Sequence, residues 1–161
     1  MLDVDGTLTD GKITYDSDGV ESKSFDVKDG FAIVSWLRLG KKAAIITGRN
    51  SPVVEKRAKE LGITHFYQGV KNKLDKLQDI LDTEGISLDE VAAIGDDLND
   101  YIMLKNSGLS FSPSDASKFI EDAVDIKLSR CGGNACVAQM IEHIIKEENL
   151  EKAYTEHWKK Q

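Results

Sequence analysis

Residues 1–14, MLDVDGTLTDGKIT, decide how this chain is read, because they admit three incompatible interpretations. Gly6 to Lys12 spells G-x-x-x-x-G-K, the frame of a nucleotide-binding P-loop. That loop needs a hydroxyl at the next position to hold magnesium, and it must open a helix. Here the next residue is Ile13, and the chain runs on into strand-like alternation and a turn. Asp3-Val4-Asp5-Gly6 also resembles the start of a calcium loop, but that register places Leu8 where the loop needs glycine and Thr14 where it needs a bidentate Glu. Starting the loop at Asp16 puts Glu21 at the glycine position and fails in the same way. What remains is a pair of carboxylates, Asp3 and Asp5, two residues apart where a short apolar strand ends.

The rest of the chain supplies a setting for that pair. Ala43–Ile46 is a short buried strand ending at Thr47-Gly48-Arg49, followed by Ser51-Pro52 as helix start and Gly62 as helix stop. His65–Tyr67 reads as a strand, residues 71–84 as a helix, Val91–Ile94 as a strand ending at Gly95-Asp96-Asp97, and residues 101–105 as a helix. Strands near 109–112 and 124–126 follow, separated by a short helix, and residues 135–148 form the last long helix. Strands alternating with helices predict an α/β fold, a Rossmann-like, doubly wound parallel sheet. One segment breaks the rhythm: Lys12–Tyr15 and Val20–Phe25 flank Asp16-Ser17-Asp18-Gly19, which is the turn chemistry of a β-hairpin.

In open α/β sheets, sites form beyond the carboxyl ends of strands. Polar residues stand at several such ends: Asp3 and Asp5, Thr47, and Asp96 with Asp97 and Asp100, while Lys73 opens the helix after the strand at 65–67. Clustered carboxylates call for a hard cation such as Mg²⁺, which favours bridging to phosphate. A hydroxyl and an ammonium can hold the remaining phosphate oxygens. The set describes phosphoryl transfer through an aspartyl-phosphate.

DVDGTLTD, IITGR, the Lys of VKNK and IGDDLND occur in this order along the chain, which thereby resembles the haloacid dehalogenase superfamily of phosphohydrolases over essentially its whole length. The resemblance implies that Asp3 is the nucleophile and Asp5 the general acid and later base. It implies Mg²⁺ held by the Asp3 carboxylate, the Asp5 carbonyl and Asp96, phosphate bound by Thr47 and Lys73, and support from Gly48, Asp97 and Asp100. Capping the helix N-terminus is the plainer role open to Asp97 and Asp100. Cap domains of the superfamily sit after the first motif or between the second and third. Here the hairpin alone fills the first slot, and residues 47–73 have room for little beyond one helix, so no cap domain is expected. FDVKDGFAI, IITGRNSPVVEKRAKELGITHFYQGV and GDDLND are similar to the capless members that hydrolyse a sugar-acid phosphate, 3-deoxy-D-manno-octulosonate 8-phosphate (KDO 8-phosphate), during lipopolysaccharide precursor synthesis. The resemblance then implies a homotetramer whose hairpins pack together, with Arg49 and Arg57 facing the substrate carboxylate and hydroxyls and with Asp26, Val27, Lys28, Asp29 and Gly30 lining the pocket. Relatives acting on the nine-carbon KDN 9-phosphate tend to carry Glu in place of Arg49, which favours the eight-carbon sugar.

There are departures. Val34 stands where the family often has a basic residue, and its GGxGxxRE pattern reads Gly132-Gly133-Asn134-Ala135-Cys136-Val137-Ala138-Gln139. Only Met1 and Leu2 precede Asp3 although a strand takes roughly five residues, so a few apolar residues are expected ahead of Met1. A non-catalytic oligomerisation module is the reading of another class, but it gives no reason to keep Asp3, Asp5, Thr47, Lys73 and Asp96 together. One phosphatase domain over 1–161 is expected, with a hairpin flap at about 12–26 and a charged tail at about 149–161.

Composition narrows the partners. Lys+Arg at 21 against Asp+Glu at 28 gives a net charge of −7, which excludes the basic footprint of a nucleic-acid binder. No apolar run is long enough to span a membrane, and residue 3 is already charged, against a secretory leader. Cys131 and Cys136 lack a partner pair at zinc spacing and read as reduced thiols, so a cytoplasmic protein is expected.

Overall fold

A computed structural model describes residues 1–160. It shows an open α/β fold whose central sheet is parallel. After the opening segment come β1 (Thr14–Tyr15) and β2 (Glu21–Ser22), α1 (Val27–Arg38), β3 (Ala44–Ile46), α2 (Pro52–Leu61), β4 (His65–Tyr67) and α3 (Lys73–Glu84). Then follow β5 (Ala92–Ile94), α4 (Tyr101–Asn106), β6 (Leu109–Ser112), β7 (Ile126–Lys127), α5 (Cys136–Glu147) and α6 (Glu151–Lys159). β3 pairs with β4, and β5 with β6 and then β7, all parallel.

The two halves of the sheet meet on the opening segment. Leu2 bridges Ile45 on one side and Ile94 on the other, both parallel. Its amide donates to the Ala44 carbonyl (2.8 Å) and its carbonyl accepts from Ile46 (3.1 Å), while the Asp3 amide donates to the Ile94 carbonyl (3.1 Å). The first motif therefore lies in the middle of the sheet, with β3 and β5 as neighbours.

Alternation along the strands sorts the core into two layers. Ile45 and Ile94 face a layer built on Ile33 of α1 and on Val137, Ile141 and Ile144 of α5. Ala44, Ile46 and Ala93 face the other layer, with Leu77, Ile80 and Leu81 of α3 and Met103 and Leu104 of α4. Both faces of the sheet are covered, which is the doubly wound arrangement expected from the sequence, and among the described residues no cap domain interrupts it.

Several boundaries differ from the sequence reading. The hairpin pairs only over Thr14↔Ser22 and Tyr15↔Glu21, held by Asp16, whose carboxylate accepts from the amides of Asp18 and Val20. The segment expected as a short helix after Ser114 is a 3₁₀ turn over Lys118–Ala123, and the last strand lies at Ile126–Lys127. α1 and α6 were not expected as helices. α1 is capped by Asp26, whose carboxylate accepts from the Lys28 amide (2.7 Å). α6 docks on α1 through Trp158, which packs at a tilt against Phe31 (4.5 Å between centroids), lies under Arg38 and donates to Ser35 Oγ (2.9 Å).

A hollow of about 430 Å³ lies at the N-terminal ends of the strands, lined by Leu2, Trp36, Lys42, His65, Ala92 and Ile144 among others. It is at the opposite end of the sheet from the acidic motifs. Among the described residues, no helix is long and apolar enough to cross a membrane.

Candidate active site

Three motifs converge because their strands are neighbours. With Leu2 in register with both Ile45 and Ile94, the residues just beyond, Asp3 and Asp5, Thr47, and Asp96, fall together at the carboxyl ends of three adjacent strands. The turn after Asp5 depends on Gly6. Its φ of 95° is costly for a side chain, and a Cβ there would collide with the Asp96 carboxylate. A single missing methyl group thus lets the first and last acidic motifs touch.

Lys73 comes from a fourth direction. Asn72 caps α3 by accepting from the amides of Leu74 and Asp75 (3.2 and 3.4 Å), and this places Lys73 as the first helical residue beyond β4. The Lys73 side chain is 1% exposed and its ammonium donates to Asp3 Oδ1 and to Asp100 Oδ1. Asp100 stands at the start of α4, and its other oxygen accepts from the amide of Asp96 (3.0 Å) and, less closely, of Asp97 (3.4 Å). Asp100 therefore both orients Lys73 and shapes the loop that carries Asp96. Asp97 is exposed and accepts from the Leu98 amide (2.8 Å), a local turn contact.

The charge balance of this cluster is unfavourable as it stands. Carboxylate oxygens of Asp3, Asp96 and Asp100 lie within 4.8 Å of one another. Burial, reinforced by the Asp100 charge and opposed by Lys73, pushes Asp3 up to about 7. Burial and the charges of Asp3, Asp100 and Asp97 push Asp96 up to about 8. Burial works against the charge on Lys73, but Asp3 and Asp100 outweigh it and hold its pKa above the ordinary lysine value. One ammonium cannot neutralise this many carboxylates. The donor set, hard oxygens crowded around one point, fits a divalent cation such as Mg²⁺.

The hairpin contributes a residue that the sequence did not single out. Lys23, with 0% of its side chain exposed, donates to Asp5 Oδ1, and its ammonium is 3.6 Å from Glu21 Oε1. Arg49, on the loop after β3, pairs with Glu21 (3.1 Å), donates to the Tyr15 hydroxyl (3.2 Å) and brings Nε within 3.9 Å of Asp5 Oδ2. Tyr15, Glu21 and Lys23 share one face of the ribbon, since Tyr15 pairs with Glu21 and successive odd residues of a strand point the same way. In sequence Lys23 looks like any solvated strand charge. The parity it shares with Glu21 is the only signal that it faces inward.

The remaining expected site residues divide. Thr47 is buried at the end of β3, fixed by backbone hydrogen bonds to Tyr67 and Val70, with Gly48 exposed beside it. Arg57 lies against Gly30, where a Cβ would meet its guanidinium, and stands over the Phe25 ring at 5.8 Å, with Glu60 as its ion-pair partner. Val27 and Lys28 are exposed at the start of α1. Asp29 is turned away into the interior: it is 2% exposed and its Oδ1 accepts from the Ala138 amide (2.7 Å). It caps α5 from a distance, since Ala135 at that helix start offers no side chain to do so. With Phe25, Asp26, Gly30 and Arg57, Asp29 also borders a small recess against α2.

The altered C-terminal pattern has a physical account. Cβ atoms at Gly132 and Gly133 would strike the backbone of Gly6, Thr9 and Asp10, so the retained glycines let this loop press on the first motif. Ala138 supplies only its amide to Asp29, and Gln139 ties the loop by accepting from the Arg130 amide (3.1 Å) and donating to Ser129 Oγ (2.9 Å). Cys131 and Cys136 are separate thiols.

Burial pushes Asp29 up to about 6, against the backbone amides of Ala138 and Val137, which favour its charged form. A carboxyl whose folded pKa lies above its unfolded one costs nothing well below the unfolded value of 3.8 and its full penalty above about 6. That penalty is at most about 3 kcal/mol. Relative to wild type, Asp29→Asn is therefore expected to gain stability as pH rises from about 4 to about 7. Urea denaturation at the two ends of that range would show a constant difference if Asp29 carries no such penalty.

A family model for haloacid dehalogenase-like hydrolase matches residues 20–108. With the parallel sheet, the hairpin and the Asp3–Lys73–Asp96 cluster, this places the chain plainly: it belongs to the haloacid dehalogenase-like hydrolases. Its relatives are more particular. It is 39% identical over 145 residues to the 3-deoxy-D-manno-octulosonate 8-phosphate phosphatase KdsC of Escherichia coli (strain K12), covering 90% of this chain and 77% of that protein. The KdsC of Haemophilus influenzae is 34% identical over 154 residues, covering 96% and 86%. The crystal structure of the phosphatase of that name from Moraxella catarrhalis, in complex with magnesium ion, phosphate ion and KDO, superposes with a TM-score of 0.94 at 39% identity, covering 98% of this chain and 90% of that one.

Proposed function

We propose that this protein hydrolyses KDO 8-phosphate to KDO and phosphate, Mg²⁺-dependently and through a phosphorylated Asp3, as one phosphatase unit in lipopolysaccharide precursor synthesis. The observation that carries the reading is Asp3 itself: a buried carboxylate at a strand end, held by Lys73 and set beside Asp96 and Asp100, in a chain similar to phosphatases of that substrate. Asp3 Oδ attacks phosphorus as the bond to the sugar oxygen breaks, and the departing electron pair takes a proton from Asp5. Asp5 then removes a proton from water, whose oxygen attacks phosphorus and returns the bonding pair to Asp3. Lys73 and Thr47 hold phosphate oxygens. Mg²⁺, held by Asp3, Asp96 and the Asp5 carbonyl, would supply neutralisation of the charge shared by carboxylates and phosphate.

Arg49 is the best-placed cation for the substrate carboxylate, because it stands between the hairpin and Asp5 with 41% of its side chain exposed, and among the described residues its Nε makes no hydrogen bond. The decisive experiment is a Mg²⁺-dependent substrate screen, with KDO 8-phosphate expected to exceed KDN 9-phosphate and simple sugar phosphates in kcat/KM. Equal or better turnover of the other phosphates would overturn the assignment.

The proposal includes a homotetramer. The hairpin leaves Ile13, Tyr15 and Val20 between 45% and 61% exposed, more apolar surface than a two-stranded ribbon needs to show water, and burying it against equivalent hairpins gives a closed ring. Sedimentation at micromolar concentration is expected to report about four times the 17.8 kDa chain mass. A fully active monomer would show that the site closes unaided. Two unpaired thiols suit a reducing, cytoplasmic setting.

A further inference from the structure

The acid that must protonate the sugar oxygen is not held by the catalytic core. The cations that meet the Asp5 carboxylate are Lys23 and Arg49, whereas Lys73 pairs with Asp3 and Asp100. Oδ1 accepts from Lys23 and Oδ2 faces Arg49 Nε at 3.9 Å. Both cations are in turn tied to Glu21, at 3.6 Å from Lys23 and 3.1 Å from Arg49. Asp5 thus sits at the end of a charge ladder carried mainly by the hairpin. Lys23 is its innermost rung, with no exposed side-chain surface. A lysine loses much rotamer freedom when buried, and a charge-assisted hydrogen bond fixes the carboxylate that receives it.

We propose that Lys23 is a positioning residue for proton transfer, fixing the Asp5 carboxyl on the leaving-group side of the phosphate. The proposal rests on Asp5 being the general acid of the phosphatase reading above. Lys23 neither touches phosphorus nor takes the proton. The bond that breaks is still the one between phosphorus and the substrate oxygen, and the proton that oxygen gains still comes from Asp5. Lys23 sets where Asp5 is when it does so. A general acid contributes roughly 10²- to 10⁴-fold, and that contribution depends on placement.

The leaving group separates this role from a structural one. An oxygen that departs readily as an anion hardly needs the acid, and a poor leaving group needs it fully. The experiment is a series of substituted phenyl phosphates of one shape, from p-nitrophenyl phosphate to phenyl phosphate and its electron-rich analogues, assayed with Mg²⁺ on the full chain and on Lys23→Met, Lys23→Gln and Lys23→Arg. For Lys23→Met, kcat/KM is expected to stay within roughly threefold of wild type for p-nitrophenyl phosphate and to fall roughly 30- to 100-fold for the poorest leaving groups. Lys23→Gln, which still donates one hydrogen bond, and Lys23→Arg, which keeps the charge, are expected to fall between. Retained p-nitrophenyl phosphate turnover is the control for folding, and if Lys23→Met lacks it, the glutamine and arginine variants carry the comparison. An equal loss across the series means a structural role and overturns the proposal, as does no loss anywhere. So does a loss confined to KDO 8-phosphate, which would make Lys23 a substrate contact. A wild-type chain inert towards every monoester would instead refute the phosphatase reading.

Discussion

Asp3→Asn is expected to abolish turnover, with kcat down by roughly 10⁴-fold or more, while the protein stays folded. The substitution preserves shape and the backbone hydrogen bond from the Asp3 amide to Ile94, so the sheet is untouched. It removes the nucleophile, and the uncatalysed hydrolysis of phosphate monoesters is slow enough that enzymes of this kind supply up to ~10²¹-fold. The electrostatics predict a second, opposite effect. Asp3 sits among Asp96 and Asp100 with its carboxyl pushed up to about 7, so a neutral side chain relieves repulsion that Lys73 only partly offsets. Without Mg²⁺, the variant is expected to melt no lower than wild type. Phosphate release and a thermal melt on the same sample test both halves, and wild-type-like turnover would end the covalent mechanism.

Lys73→Met is expected to damage both activity and fold. Its ammonium is the buried partner of both Asp3 and Asp100, and removing one member of such a cluster strands the others. Comparable losses run to about 3–5 kcal/mol. The thioether matches the lysine stem in length, so packing against the 1%-exposed site is largely kept and the loss reports charge. Adding Asp100→Asn removes one stranded carboxylate and is expected to recover part of the stability without restoring turnover, since phosphate still lacks its ammonium. A chemical-denaturation cycle over the two sites measures this coupling. If Lys73→Met were as stable as wild type, the buried charges would be neutralised by something other than Lys73.

The parts of this architecture that were legible in sequence are those set by local chemistry. Polar residues following apolar runs mark the strand ends at Asp3, Thr47 and Asp96, and Gly62, with φ of 75°, stops α2. What escaped is set by distant packing. α1 carries Phe31-Ala32-Ile33-Val34 and Trp36-Leu37, apolar on nearly every side, because it is covered by α5 on one flank and by α6 on another. A near-continuous apolar run hides the helical period. α6 is mostly charged in sequence, with Tyr154 and Trp158 embedded in it, and the serine that Trp158 meets is 123 residues away. Asp29 and the amide it caps are 109 residues apart, so a carboxylate among candidate pocket residues could not be told from a helix cap. The contact of Lys23 with Asp5 likewise depends on how the hairpin between them folds back, which no local pattern specifies in detail.

The opening segment joins the half-sheets of β3 and β5 through hydrogen bonds of Leu2 and Asp3 to Ala44, Ile46 and Ile94. The residue that would form the covalent bond to phosphorus is thus one stitch in the seam that holds the fold closed. Position along that seam and position in the reaction cannot drift apart, because sliding or fraying of one is displacement of the other. Partial opening would not leave a working centre on a loosened scaffold. Loss of the seam and loss of the nucleophile's address would be one event, so the population that keeps its sheet zipped is also the population that can react.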